Sequence, residues 1–561
     1  MDDRHLVRTG PPRRSYVGGL LGLAAIAVLG ACNLHQQGVT PPKNRIFFPG
    51  GGIVAPEGRW LYVVNSNADL RYNAGTVAAV DLDAIRGDYD KGVLPPRMAW
   101  SSCSPDPKNF VPPASVKATD SAQCCWDFID PNVLNCDEQA YIDKGATVRI
   151  GSFGGRPAFQ RFALPGASAT ASPPVAAGIG QRMFVPVRGN GSVTMMDVAA
   201  LADADGKATS NPRFYCSGNR TDPNQVSGTF TQDPFSECED AWRITRKLDP
   251  AVVPEVASVP EAEILRLPEE AYALAVDDRL TSPFLYVGHL RSGAVSLVSL
   301  GNGTDENPEL IASNAAILPP DANGSRGITS LRIRYPGSLN DPNTCGGPIY
   351  ATSRYAAVAS SFVVAGINGA DCRFTSQTPL DDRTLAIVGR GDSLSSGVPG
   401  NETAGIEFIS KANLGATTAG GGDGIFILQR LPPVVAAIDA NTNRPFATIE
   451  VCQGPVSLSQ QTDLDGVSFS LDGPSLFVTC YDSGEVYVVD ASALRIKAII
   501  PIGRGPIQTI FDPRDPKHGY VVGFSSNSIS VLDLDPTSPT HYRVIQRIGF
   551  PSATPREIGP Q

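Results

Sequence analysis

The sequence predicts an all-β protein folded as a seven-bladed β-propeller, and three observations lead to this prediction. A hairpin phrase recurs along the chain, and its last two copies begin 44 residues apart, at Leu476 and Tyr520. A four-stranded unit of about 40–45 residues is the size of one propeller blade. The 561 residues include 56 glycines and 48 prolines but only 18% charged side chains, a composition typical of many turns and few long helices.

The clearest copy of the phrase, LFVTCYDSGEVYVVD, covers residues 476–490. Its β-branched and aromatic side chains alternate with a period of two, which predicts strands on both sides of Asp482-Ser483-Gly484. Glycine tolerates a positive φ, and Asp and Ser side chains bond nearby backbone, so a tight turn is expected at these three residues. An isolated hairpin is only marginally stable in water, so the copies are expected to pack against one another.

Seven candidate strand pairs follow this pattern, and they are expected near residues 60–81, 182–198, 284–300, 348–366, 425–451, 474–490 and 518–533. Six or eight blades stay open as alternatives, because TLAIVGRG (384–391) and GIFILQRLPPVVAAID (424–439) both compete for the fifth unit. Residues 44–561 are interpreted as one domain, with loop insertions at about 97–145 and 202–250. Residues 44–51 are expected to pair with the last blade, which would close the ring and remove its exposed edges.

The best-preserved copies resemble the repeat of the YVTN (YncE-like) β-propeller family. Phe477-Val478-Thr479-Cys480 matches the "YVTN" element with Cys in place of Asn, and Val489-Asp490 matches its "iD". Ile502-Gly503 with Gly505-Pro506 matches the "vG..P" element that follows. The resemblance is strongest over residues 440–550. It implies a seven-bladed propeller and no particular activity, because such folds serve many functions.

The first 31 residues have the pattern of an export signal. Arg13 and Arg14 precede a short apolar run at 17–31, which is shorter than the roughly 20 residues that span a bilayer. The segment Leu29-Gly30-Ala31-Cys32 resembles the bacterial lipobox, which implies that Cys32 is diacylated, with palmitate, and becomes the mature N-terminus. Residues 32–43 are then expected to be a tether. Asn33 after the cysteine favours the outer membrane, on the side facing either the periplasm or the exterior.

Ten cysteines remain if Cys32 carries lipid, an even number in an exported chain, and this predicts disulfides. They lie in local groups, so neighbours are expected to pair: Cys216 with Cys238, Cys345 with Cys372, and Cys452 with Cys480. A fourth group is expected to supply two more bridges of open connectivity, and it contains Cys103, Cys124, Cys125 and Cys136. Zinc is the weaker alternative, because no CxxC pair is present.

Composition and motifs point away from several kinds of site. The net charge of −10 gives no basic patch of the kind that binds nucleic acid. The histidines show no spacing typical of metal ligands, so His35, His289, His518 and His541 are interpreted as ordinary loop or surface residues. The calcium-loop pattern that begins at Asp203 fails, because its twelfth position is Phe214 rather than Glu. No catalytic residue, metal or cofactor is therefore predicted.

Four arginines are the exception, because each follows the predicted second strand of a unit. They are Arg188, Arg291, Arg354 and Arg390. If the units are blades, their loops share one face of the ring, where guanidinium groups can hold carboxylates or phosphates. The alternative is four solvated loop arginines with no shared site.

These features together predict a lipid-anchored exported propeller that acts as a binding or scaffolding module for a protein or polysaccharide. Two alternatives stay open. One is a propeller enzyme, either a lactonase-like hydrolase or a quinoprotein dehydrogenase, and the other is a surface adhesin.

Overall fold

Seven sheets follow one another along the chain and form the blades of a ring, as predicted. The computed structural model describes residues 39–549 except for 91–123, 128–129, 131, 164–178, 200–210, 218–234, 247–263, 279–282, 301–307, 315–316, 322, 335–346, 365–366, 369–372, 375–386, 415–422 and 463–469. In each blade, consecutive strands run antiparallel from the innermost position to the outer edge.

The first two blades carry the longest insertions. Blade one contains β1 (Pro49–Val54), β2 (Trp60–Asn65), β3 (Gly75–Asp81) and β6 (Ile142–Ile150). Between β3 and β6 the chain forms helix α1 (Leu82–Asp90) and two short strands, β4 (Cys124–Trp126) and β5 (Leu134–Cys136). Blade two contains β7 (Ala158–Ala163), β8 (Ile179–Val187), β9 (Ser192–Ala199), and two short strands that both pair with β9, β10 (Arg213–Tyr215) and β11 (Arg243–Ile244). Blade three contains β12 (Ala271–Asp277), β13 (Phe284–His289), β14 (Val295–Ser299) and β15 (Glu309–Asn314).

The next two blades resolve the ambiguous fifth unit. Blade four contains β16 (Ile328–Ile333), β17 (Ile349–Ser353), β18 (Val358–Val364), a small hairpin of β19 (Ile367–Asn368) and β20 (Arg373–Phe374), and β21 (Ile387–Ser395). Blade five contains β22 (Asn401–Ile409), a short helix α2 (Lys411–Leu414), β23 (Gly424–Leu431), β24 (Val434–Asp439) and β25 (Arg444–Glu450). The segment 384–391 therefore belongs to the outer strand of blade four, and the ring has seven blades.

The last two blades are the most regular. Blade six contains β26 (Pro455–Gln460), β27 (Ser475–Cys480), β28 (Glu485–Asp490) and β29 (Arg495–Pro501). Blade seven contains β30 (Pro506–Asp512), β31 (Asp515–Gly523), β32 (Ser528–Asp533) and β33 (Arg543–Ile548). Six of the seven predicted strand pairs coincide with the second and third strands of a blade, and the segment 425–451 covers the second to the fourth strand of blade five.

The recurring phrase is apolar on both strand faces because neighbouring blades cover both faces of the second strand. All six residues of β27 are buried, and so are all six of β2 and of β13. The turn after β27 ends at Gly484, whose φ is 73°, and a Cβ there would lie 2.3 Å from the carbonyl oxygen of Gly503. Glycine is required at this position for both reasons.

The aspartate that ends the third strand of several blades caps the following turn. Asp490 Oδ1 accepts hydrogen bonds from the backbone N–H groups of Ser492 and Ala493, at 3.0 and 2.9 Å. Asp439 Oδ1 makes the equivalent pair of contacts in blade five, both at 2.9 Å. The "iD" element of the phrase thus has a local structural role as a turn cap.

Blade seven packs against blade one and closes the ring. Inner strand β30 contacts β1, and a buried apolar cluster joins Leu61 and Val63 of blade one to Tyr520, Val522 and Ile529 of blade seven. The expectation that residues 44–51 pair with the last blade is wrong, since β1 pairs with β2 inside blade one. Blade seven already has four strands of its own from residues 506–548, so it needs no strand from the N-terminal segment.

The insertion of blade one, rather than residues 44–51, pairs with the last blade and helps to close the ring. Strand β5 adds in parallel to the outer edge of β33, and β4 pairs with β5, so the sheet of blade seven has six strands. Gly549 N donates to Cys136 O at 2.9 Å, and Arg547 Nη1 lies 3.0 Å from Asp127 Oδ2. We call β4 and β5 the clasp. It covers an edge that would otherwise present unpaired backbone groups.

Three disulfides form among the cysteines whose side chains are described. Cys124–Cys136 ties the two clasp strands together, with a Cα–Cα distance of 4.0 Å. Cys216–Cys238 and Cys452–Cys480 are the neighbour pairs expected from the sequence, with Cα–Cα distances of 4.9 and 6.0 Å. Cys32, Cys103, Cys345 and Cys372, and the side chain of Cys125, lie outside the described part of the chain.

The signal segment 1–31 and the calcium-like segment 201–208 also lie outside the described residues, as does the tether except for its last residues. Within the described ranges, no helix combines the length and the apolar character needed to cross a bilayer.

Candidate functional site

The innermost strands of the blades surround a central channel, and a cavity of about 310 Å³ opens where these strands begin. We call it the channel mouth. Its lining includes the start of β1, β12, β16, β26 and β30 and the segment that precedes β7. Four apolar side chains, Phe153, Leu274, Leu331 and Phe524, share the lining with the two basic residues Arg156 and Arg188. A concave, mostly apolar surface with few polar groups is typical of small-molecule sites.

Arg156 is the polar centre of the channel mouth. It lies in Gly154-Gly155-Arg156-Pro157, directly before β7, and its side chain reaches blades six and seven. Its Nη2 donates to Val456 O at 3.1 Å and to Ile507 O at 2.8 Å, on the inner strands of blades six and seven. The two carbonyl groups hold the guanidinium in one position, so it is preorganised before any ligand arrives.

The glycine run of β1 makes room for this arginine. A Cβ on Gly51 would lie 2.8 Å from Cγ of Arg156, and a Cβ on Gly50 would lie 2.1 Å from Gly154 O. Gln508 Oε1, beside the same run, accepts from Gly52 N at 3.1 Å. The residues Gly50 to Gly52 therefore allow the side chain of Arg156 to pass close to the backbone of blade one.

The guanidinium of Arg156 has no acidic partner among the described residues, since no described carboxylate lies within ion-pair distance of it. A guanidinium has five N–H donors. The two bonds from Nη2 to backbone carbonyls account for two of them, and the groups on Nη1 and Nε have no hydrogen-bond acceptor within the described part of the chain. Burial lowers the pKa of Arg156, and the nearby charge of Arg332 acts in the same direction. An anion would relieve this uncompensated positive charge.

Two arginines close to Arg156 have carboxylate partners. Arg332 pairs with Glu407, a carboxylate whose pKa is raised by burial and held down in part by that arginine. Arg188 Nη2 lies 3.8 Å from Glu270 Oε1, and its guanidinium carbon lies 5.8 Å from the ring centre of Tyr272. Of the two arginines that line the channel mouth, Arg156 is thus the one without a carboxylate partner among the described residues.

The four arginines selected from the sequence fall in different surroundings. Arg188 lines the channel mouth. Arg291 is 74% exposed and lies 3.2 Å from Glu269, and Arg354 packs 5.4 Å from the ring centre of Tyr355; neither lines the cavity. Arg390 lies in β21, the outermost strand of blade four, so it does not follow a second strand as expected. Of the three whose side chains are described, Arg188 therefore reaches the candidate site and the other two do not.

Sequence reasoning missed Arg156, although a weak signal was present. The residue sits between two glycines and a proline just before an inner strand, and a second glycine run precedes Ile53 in β1. Close backbone approaches require glycine, so paired glycine runs at the starts of two inner strands are the pattern that could have indicated it.

A second cavity, of about 380 Å³, lies between blades one and seven at the turns that follow their inner strands. Arg86 of α1 is its centre, with Nη2 2.6 Å from Asp83 Oδ1 and Nη1 2.5 Å from Asp512 Oδ2 and 3.4 Å from Asp515 Oδ2. Burial raises the pKa of Asp512, and Arg86 offsets this only in part. These charges partner one another, so this cavity is interpreted as part of the joint between the blades.

The histidines of the blades have structural contacts. Buried His289 lies 2.9 Å from Ser296 Oγ through Nε2, and burial lowers its pKa to about 4, so it is neutral at pH 7. His518 Nδ1 lies 2.7 Å from Asp515 Oδ2, and His541 stacks on Tyr542. Among the residues with described positions, no three His, Cys, Asp or Glu side chains are grouped so as to hold a metal ion.

Comparisons with known proteins identify no family. Neither the models of known protein families nor the curated protein sequences contain a match to this chain. Among solved structures the chain is similar to the Dos1 propeller, with 13% identity and a TM-score of 0.33 over 54% of this chain, and it spans 63% of that chain. It is also similar to Kuenenia stuttgartiensis hydrazine synthase, with 11% identity and a TM-score of 0.43 over 90% of this chain and 99% of that chain.

Proposed function

We propose that this protein is an exported, lipid-anchored propeller of the YVTN type that acts as a binding module, with its ligand in the channel mouth. The observation that carries the proposal is Arg156, a guanidinium fixed across the channel and without an acidic partner among the described residues. Uncompensated charge in a partly enclosed site is costly, so such groups concentrate where ligands bind. The partner is a free small molecule, or a protein or polysaccharide that inserts one small group.

The channel mouth is suited to binding because it is rigid. Much of its wall consists of the first residues of inner strands, and each of these strands is hydrogen-bonded to a fully or largely buried second strand. A site built on such a scaffold loses little conformational entropy when a ligand binds. The loops around it differ between blades and can supply specificity.

Blocking the channel mouth is expected to remove the native ligand. Ala68 lines the cavity and is half-buried, so Ala68→Trp places an indole in the opening. The wild-type chain and the variant are purified from membranes of the native host, and bound molecules are released by denaturation and identified by mass spectrometry. A molecule enriched with wild type is expected to be absent from Ala68→Trp.

Ala493→Trp is the matched control, because Ala493 is exposed in the turn between β28 and β29 of blade six and does not line the channel mouth. It is expected to retain the bound molecule. Equal recovery from all three proteins, or no enriched molecule from any of them, contradicts binding at the channel mouth.

The anchor is proposed from the lipobox resemblance at Cys32, and the tether at 32–43 would hold the propeller at the surface of the outer membrane. Cells grown with labelled palmitate are expected to label the wild-type chain, whereas Cys32→Ala removes the acceptor thiol and all of the label. Asn33→Ala keeps the thiol and serves as the control that should stay labelled. Label on the Cys32→Ala protein would rule out this anchor.

A further inference from the structure

We propose that the channel mouth binds a small monocarboxylate, whose anionic group pairs with Arg156 and whose apolar part contacts Phe153, Leu274, Leu331 and Phe524. This inference rests on the proposed function, because it assigns a chemical class to the ligand of the same site. Three features support it: the donors left on Arg156, the size and lining of the cavity, and the charge balance around it.

The first feature is the set of N–H donors that remain on Arg156. Nη2 of Arg156 is committed to the carbonyl groups of Val456 and Ile507, so the guanidinium cannot move away when a ligand enters. The N–H groups on Nη1 and Nε remain for an incoming acceptor. A carboxylate oxygen at about 2.7–2.9 Å from one of them would form a charge-assisted hydrogen bond, which is roughly twice as strong as a neutral one.

The cavity sets the size and the character of the rest of the ligand. Its volume of about 310 Å³ lies at the lower end of the ~300–1,000 Å³ typical of small-molecule sites. Phe524 packs edge-on against Phe48, with ring centres 5.6 Å apart, so its position in the wall is fixed. Aromatic and aliphatic walls around a single cation favour a ligand with one anionic end and a compact apolar body.

The charge balance favours one negative charge rather than two. Arg188 and Arg332 already have Glu270 and Glu407 as partners, and these glutamates would repel a second charge on the ligand. A phosphate dianion is usually held by several donors and cations, and the described lining of the channel mouth offers one unpaired guanidinium. A monoanion matches the single charge of Arg156.

The experiment compares carboxylates with their neutral amides on the full, lipidated chain in detergent by isothermal titration calorimetry. The probe pairs are phenylacetate with phenylacetamide and hexanoate with hexanamide, which have nearly the same shape. At least one carboxylate is expected to bind roughly 10- to 100-fold more tightly than its amide. The carboxylate can form a charge-assisted hydrogen bond with Arg156, whereas the neutral amide forms a weaker one. Equal binding within both pairs, or no binding by either carboxylate, overturns the proposal.

Two matched variants locate the effect. Arg156→Gln is expected to abolish the preference for the carboxylate, whereas Arg291→Gln changes an exposed arginine outside the cavity and should keep it. A folded Arg156→Gln protein that still prefers the carboxylate also overturns the proposal. If Arg156→Gln does not fold, the comparison of acid with amide on the wild-type chain decides the question alone.

The two proposals fail differently. If neither carboxylate binds but Ala68→Trp still removes a native ligand, the carboxylate assignment is wrong and the binding site stands. If Ala68→Trp also changes nothing, both the assignment and the site are wrong.

Discussion

Replacing Arg86 with methionine is expected to lower the free energy of unfolding by about 3–5 kcal/mol at pH 7. The side chain of Arg86 is 17% exposed and that of Asp512 is 1% exposed, and Arg86 also donates to Gly58 O at 3.0 Å. Methionine fills a similar volume but leaves Asp512 as a buried carboxylate without its cation. The joint between blades one and seven loses its main ionic contact, and unfolding followed by tryptophan fluorescence in urea measures the cost.

The loss of stability in Arg86→Met is expected to be smaller at low pH, because the pKa of Asp512 is raised in the folded state. Burial raises this pKa in the folded state, so the contribution of Asp512 to stability is complete below its unfolded pKa of about 3.9 and is lost as the pH rises through the folded value. Removal of Arg86 raises the pKa of Asp512 in the folded state further, so the stability of the variant falls over a wider pH range. The stability difference between wild type and Arg86→Met is therefore expected to be smaller at pH 4.5 than at pH 7.

Arg291→Met is the control for this experiment, because Arg291 and Glu269 are an exposed pair whose loss should cost less than about 1 kcal/mol. Arg86 does not hold the joint if Arg86→Met loses as little free energy of unfolding as the control. The same conclusion follows if its loss grows as the pH falls.

Removal of the clasp disulfide is expected to open the ring at the same joint. The Cys124–Cys136 bridge spans 12 positions, and a bridge of this span contributes about 3 kcal/mol, mainly by restricting the unfolded chain. In Cys124→Ala/Cys136→Ala the clasp also loses the covalent link between β4 and β5, so β5 is held less firmly on the edge of β33. Besides lower stability, the amides of β33 (Arg543–Ile548) should exchange with deuterium faster than in wild type.

The matched control is Cys216→Ala/Cys238→Ala, which removes a bridge that spans 22 positions inside blade two. It is expected to cost a comparable free energy but to leave the exchange of β33 unchanged. Identical exchange of β33 in both double variants would mean that the bridge stabilises the chain without closing the ring.

The features that could be predicted from the sequence are local ones. The second and third strands of each blade are continuous apolar runs joined by turn residues, such as Asp482 and Gly484, and both signals lie within 15 residues of chain. The outer strands carry weaker signals, because one face or edge meets solvent. For this reason the segment 384–391, which overlaps β21, competes in the sequence with 424–439 for the fifth unit.

The closure and the candidate site depend on contacts between distant parts of the chain. Arg86 and Asp512 are 426 positions apart, and Arg156 reaches carbonyl groups 300 and 351 positions away. Local patterns carry no information on such pairs, so the residues 44–51 were assigned to the wrong blade and the clasp was not foreseen. The arginines chosen by their place in the repeat included Arg188 but missed the residue at the centre of the cavity.

A crystal structure of the full chain with phenylacetate would test the assignment of the channel mouth without any variant. The prediction is a carboxylate oxygen at about 2.7–2.9 Å from Nη1 or Nε of Arg156, with the phenyl ring against Phe153 and Phe524. Phenylacetate bound at another place with an empty channel mouth, or a carboxylate of the chain itself paired with Arg156, would contradict it.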